Sequence, residues 1–218
     1  MRYSIAIAAF LAAAAPAAPA FAQPEAIAQP DGFVRVGVAR LRLADEADIF
    51  VNGVQDPQAA FETPEKWVAN FDLGYFVLDR VAVQLAATTP AETPNMPAGS
   101  LAGLPNLGSD EFSIFTLTAT FHPLRGRPVS PYVGAGVGLQ HVWSTEDALL
   151  ANVEVGDAFG LVLQGGVEVA VGERFGVYAE VRKGFWSADA SGDLGPARIT
   201  ADAELDPLII QAGALFRF

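Results

Sequence analysis

His122 and His141 are the only histidines of the chain, and there is no cysteine. Neither histidine stands in an H-E-x-x-H run or has two further ligands at metal spacing, so no metal site and no cofactor are expected. The missing cysteines remove disulfides, thiolate ligands and a thiol nucleophile. A Ser-His-Asp site is assembled in space and cannot be read from spacing. The set that shares an inward face near His141 nevertheless offers no obvious serine. Gly134, Gly136 and Gly138 recur every second residue but lack the strand-to-helix setting of a phosphate loop. They are read as room inside a barrel or as points of strand curvature. The charged groups Arg35, Asp72, Glu168, Glu180 and Arg182, with Gln164, are more informative, because they fall on one face of their segments. Buried charges persist when paired, so these six are expected to form an internal polar cluster. An ion-selectivity ring is the alternative.

The elements that must position them are strands. Val34, Val36 and Val38 alternate with Arg35, Gly37 and Ala39, a two-residue period that gives a strand two unlike faces. Residues 67 to 77 place Trp67, Ala69, Phe71, Leu73, Tyr75 and Val77 on one side, and Val68, Asn70, Asp72, Gly74 and Phe76 on the other. The same test succeeds over the stretches starting at Val81, Phe115, Val133, Phe159 and Phe175, and over Leu208 to Phe218. Eight strands are predicted. Their apolar faces end in large aromatics, while the opposite faces are small or polar. An eight-stranded barrel is only wide enough inside for packed side chains or one small ligand. Apolar residues outside and polar ones inside therefore predict a transmembrane, lipid-facing antiparallel β-barrel. The turn expected at Gly172 to Arg174 sets a register with Gln164 opposite Arg182 and Glu168 opposite Tyr178.

Composition agrees with an exported membrane protein. The 218 residues are 51% hydrophobic and 17% charged, with net charge −12, against about 25% charged in a soluble domain. Such an acidic chain is a poor nucleic-acid partner. Met1-Arg2, the apolar run Ile5 to Ala15 and the exit Ala20-Phe21-Ala22 have the pattern of a cleaved secretory signal. The expected organisation is a signal peptide at 1–22, a short periplasmic segment at 23–31 and a barrel at 32–218. Beyond the leader, no apolar run reaches the length of a membrane helix.

Short links at 78–80, 123–130 and 172–174 alternate with long ones near 44–66, 89–111, 145–158 and 187–206, which places short turns in the periplasm and long loops outside. Trp67, Trp143 and Trp186 are assigned to an outer aromatic girdle, and Tyr75, Phe121, Phe175 and Phe216 to an inner one. Most of the 25 acidic residues fall in the long loops. They are read as solvated carboxylates, or as sites that share divalent cations with lipopolysaccharide. Phe216 and the terminal Phe218, at the end of an alternating strand, look like the signal read by the barrel assembly machinery.

A family resemblance follows from these segments. Val83-Gln84-Leu85-Ala86-Ala87-Thr88-Thr89-Pro90, Ser130-Pro131-Tyr132-Val133-Gly134-Ala135-Gly136, Leu205-Asp206-Pro207 and the closing Phe216-Arg217-Phe218 resemble, in order, runs of the OmpW family. Asp157-Ala158-Phe159-Gly160 followed by Gln164-Gly165-Gly166-Val167 is similar to its sixth strand. Leu208 replaces a usual tryptophan, and Leu161 stands where a proline often interrupts. The resemblance implies an outer-membrane barrel that passes or binds small hydrophobic molecules, with pocket positions at Ala86 and Phe159. Val68, Phe76, Ile114 and Ile209 are the apolar lumen residues expected to join them. The expected partners are outer-membrane lipid and lipopolysaccharide, the assembly machinery and small hydrophobic solutes. A closed structural or surface-recognition barrel is the alternative, and an outer-membrane enzyme a third.

Overall fold

The computed structural model describes residues 31–44 and 46–218. The expected leader and all but the last residue of the 23–31 segment lie outside the described residues. Eight long strands form the barrel: β1 (Gly32–Arg42), β2 (Lys66–Leu78), β3 (Val81–Thr88), β4 (Gly108–Phe121), β5 (Val129–Asp147), β6 (Ala158–Ala170), β7 (Phe175–Phe185) and β8 (Leu208–Arg217). Each pairs antiparallel with its sequence neighbour, and β8 returns to β1 with Phe33 opposite Arg217 and Arg42 opposite Leu208. The chain end locks this seam, because the amide groups of Gly32 and Phe218 each donate to the other's carbonyl, at 3.0 and 2.9 Å. Closure leaves no open edge among the spanning strands, as a hydrocarbon surround requires.

The pleat sorts the side chains as the alternation predicts. Val36, Val38, Phe71, Leu73, Tyr75, Leu85, Leu117, Leu163 and Val177 face outward, and Arg35, Asp72, Gln84, Thr118, Gln164, Glu180 and Gln211 are buried inside. The turn at 172–174 sets β6 against β7 with Gln164 opposite Arg182 and Glu168 opposite Tyr178.

The long links are not loops. β4 and β5 run on above the barrel to the pair Gly108–Asp147, and both exceed the roughly 9–11 residues that a spanning strand needs. A five-stranded sheet stands beside them, ordered Ala151–Val155, Ser187–Leu194, Ala197–Glu204, Glu46–Val51 and Val54–Gln55. Ala91–Pro94 adds to β4, and Ala59–Glu62 pairs with Met96–Gly99. The link at Asn52-Gly53 has positive φ at both residues, 50° and 80°, the geometry of a tight hairpin turn. The outer sheet carries a cross-strand acidic row, Asp189 opposite Asp202 opposite Asp48. Among the described residues, no three His, Cys, Asp or Glu are placed to hold a metal ion.

Trp67 and Trp143 are exposed, as girdle residues must be, but Trp186 is only 6% exposed and points inward. The girdle assignment is corrected by parity, since Tyr178, Glu180, Arg182 and Gly184 share its face. Its indole fills a trough made by three glycines. A Cβ at Gly184 or Gly138 would stand 2.4 or 2.7 Å from the ring, and one at Gly160 would stand 2.8 Å from the Trp186 Cβ. Gly184→Val is therefore expected to expel the indole at a cost of about 1–3 kcal/mol, the usual range for overpacking. A red-shifted tryptophan emission together with a lower urea midpoint would register it, and unchanged emission would refute the trough.

Candidate functional site

From the periplasmic side upward, the interior is stacked in layers. The lowest is aromatic: Phe33 and Phe76 pack 5.8 Å apart, with the His122 ring 4.9 Å from Phe76 and stacked on Tyr132 at 4.8 Å. Below them the Arg125 guanidinium lies over Phe76 at 3.8 Å and pairs with Asp31 at 2.9 Å. This end of the barrel is filled.

The second layer is ionic. Arg35 pairs with Glu168 and reaches Tyr132 Oη at 3.0 Å and Glu180 at 3.5 Å. Arg182 pairs with Glu180 at 2.6 Å and with Asp72 at 3.3 Å, and Arg217 with Glu168 at 2.7 Å. Tyr132 Oη and Gln211 Nε2 each donate to Glu180 at 2.7 Å, and Gln164 Nε2 donates to Gln84 at 3.2 Å. Three guanidinium groups thus meet three carboxylates, so formal charge cancels across the barrel. The structure brings together all six residues expected in the cluster, Arg35, Asp72, Gln164, Glu168, Glu180 and Arg182. Sequence reading missed Arg217 and the closing role of Tyr132. Alternation from Phe216 and Phe218 would have placed Arg217 inside.

The third layer is apolar: Val68, Ile114, Val162, Trp186, Ile209 and Phe112 pack as one core. Above it, between β4, β5 and the outer sheet, lies an apolar cavity of about 110 Å³. Leu43, Phe112, Leu205 and the outer-sheet residues Ala188, Ala201 and Ala203 are in its wall. None of the six residues expected to line a pocket is in that wall. Val68, Ile114 and Ile209 are packed below it, Ala86 stands opposite Asp72 at the level of the ionic layer, and Phe76 belongs to the periplasmic layer. Phe159 is corrected outright: it is 66% exposed on the outer wall, in line with Leu161 and Leu163. The pleat reverses at each residue, and buried Ala158 takes the inward direction.

One carboxylate enters the cavity wall. Asp110 shares the inward face of β4 with Phe112 and Ile114, between Thr93 and Thr145 of the neighbouring strands. Asn95 Nδ2 donates to its Oδ2 at 3.1 Å, while its Oδ1 is buried without a partner among the described residues. Burial raises the carboxyl above its ordinary range, and the bond from Asn95 only partly opposes that.

The histidine chemistry is not assembled. His141 Nδ1 meets Asp157 at 2.8 Å. The Val142 amide and then His141 hold that carboxylate below its usual range. Ser113 lies across from His141 on the same face, but its hydroxyl accepts from Trp143 Nε1 at 3.0 Å. Among the described residues it makes no hydrogen bond to His141.

Comparison with known proteins gives the same architecture. The profile of the OmpW family matches residues 29–218. The chain is 29% identical to the dibenzothiophene metabolism operon protein PahQ of Pseudomonas aeruginosa, over 80% of this chain and 82% of that protein. It is 25% identical to the outer membrane protein AlkL of Ectopseudomonas oleovorans, covering 87% and 83% of the two. The structure of AlkL in lipid bilayers aligns with a TM-score of 0.70 at 24% identity, over 95% of this chain and 97% of that one. The crystal structure of the outer membrane protein OprG from P. aeruginosa aligns at 0.80 with 20% identity, covering 87% and 96%.

Proposed function

Because the chain belongs to the OmpW family of outer-membrane barrels, we propose that it provides a passive route for small hydrophobic molecules, received in the apolar cavity above the barrel. The observation that carries this reading is the cavity's position: it lies at the extracellular end, is walled mainly by apolar side chains, and rests on a packed floor. Among the described residues the ionic and aromatic layers fill the barrel below the cavity, which favours an exit sideways into the bilayer. Hydrocarbon lowers the free energy of an apolar solute there, and no covalent step is involved. The cleaved leader and recognition of Phe216 and Phe218 by the assembly machinery belong to the same reading. So do contacts of the acidic outer sheet with lipopolysaccharide. Phe218 is exposed at the barrel seam, where such recognition needs it.

Entry of an apolar and a polar probe of similar size, compared in cells with and without the protein, tests the proposal. Faster entry of the apolar probe alone is expected. No difference for either probe would leave a closed barrel whose outer surface does the work, the reading that the sealed lower layers favour.

A further inference from the structure

The cavity wall is apolar apart from a few polar groups, and nearly all of those are engaged. Gln140 Oε1 accepts from Trp186 Nε1 at 3.4 Å, Ser191 Oγ accepts from Arg198 at 2.9 Å, and Asn95 Nδ2 is committed to Asp110. Asp110 lines the cavity, and its Oδ1 is the buried oxygen left over without a donor. A buried acceptor without a donor is costly, and a ligand that brings one removes that cost. A second carboxylate brought beside Asp110 would be repelled.

We propose that the cavity selects small apolar molecules that carry one hydrogen-bond donor, an O–H or N–H, seated on the Asp110 carboxylate. The proposal rests on the uptake reading and names its solute class. The scale fits a single ring, since an apolar cavity of about 150 Å³ accepts benzene. The apolar body lies against Phe112, Leu205 and the alanines of the outer sheet, and the head points to β4.

Binding of phenol, anisole and benzene to the full-length barrel in lipid nanodiscs tests this, with wild type beside Asp110→Leu. Anisole keeps the ring and the oxygen of phenol but has no donor. Wild type is expected to hold phenol about ten-fold tighter than anisole, the equivalent of about 1.4 kcal/mol. Asp110→Leu is expected to erase that preference. The phenol and anisole comparison within wild type does not depend on the variant folding. Equal binding of phenol and anisole by wild type would overturn the donor preference while leaving hydrophobic uptake standing. Binding of none of the three probes would remove the uptake reading itself.

Discussion

Arg35→Ala is expected to cost the barrel about 3–5 kcal/mol of unfolding free energy, the range seen when one partner of a buried ion pair is removed. Arg35 is fully buried and faces Glu168, Glu180 and Tyr132 from three different strands. Its guanidinium also lies between the Tyr132 and Phe33 rings, at 4.5 and 4.6 Å. Without it, Glu168 keeps Arg217 and Glu180 keeps Arg182, but three carboxylates then share two cations. Adding Glu168→Gln restores the balance and is expected to recover part of the loss, as coupled positions in one network do. Urea titration of the refolded barrel in lipid, followed by tryptophan emission and gel mobility, measures both. A cost below about 1 kcal/mol for Arg35→Ala, the size of an exposed pair, would show that the ionic layer does not hold the barrel together.

Ala201→Trp is expected to lower entry of an apolar probe about ten-fold or more without unfolding the barrel. Ala201 lies on the outer sheet opposite Ala190, and both are in the cavity wall. An indole there occupies the space a solute would use, and each 1.4 kcal/mol added to the passage barrier slows it about ten-fold. Phe159→Ala is the counterpart. That ring faces lipid outside the barrel, so entry is expected to stay at the wild-type rate. Uptake in cells carrying each variant, at matched amounts of folded protein, decides the matter. Loss in Phe159→Ala with none in Ala201→Trp would move the route to the outer wall.

The strand count, the closed barrel and the faces of its strands were legible in the chain because a pleat alternates with each residue, and the bilayer makes the two sides chemically opposite. The same period placed Arg35, Asp72, Glu168, Glu180 and Arg182 on one interior, and the three-residue turn at 172–174 was short enough to set the register of Gln164 and Arg182. Parity carried through would also have placed Trp186 and Arg217 inside, and it put Phe159 outside. Proximity to a long link misled for Trp186, and family resemblance misled for Phe159.

Height along the axis and pairing between distant segments were decided only by the tertiary structure. Alternation tells in from out but not how far up, so it did not separate Phe76, Ala86 and Ile114 into different layers; strand tilt and stagger did that. The outer sheet joins Glu46–Val51 to Ala197–Glu204, and Ala151–Val155 to Ser187–Leu194. Ala188, Ala190, Ala201 and Ala203 alternate with polar residues, but no short turn brings these segments to Glu46–Val51 or Ala151–Val155. Closing the barrel brings those ends together, and only then does Asp110 stand at the rim of an apolar cavity, because Leu205 and the outer-sheet alanines of its wall come from strands far away in the chain.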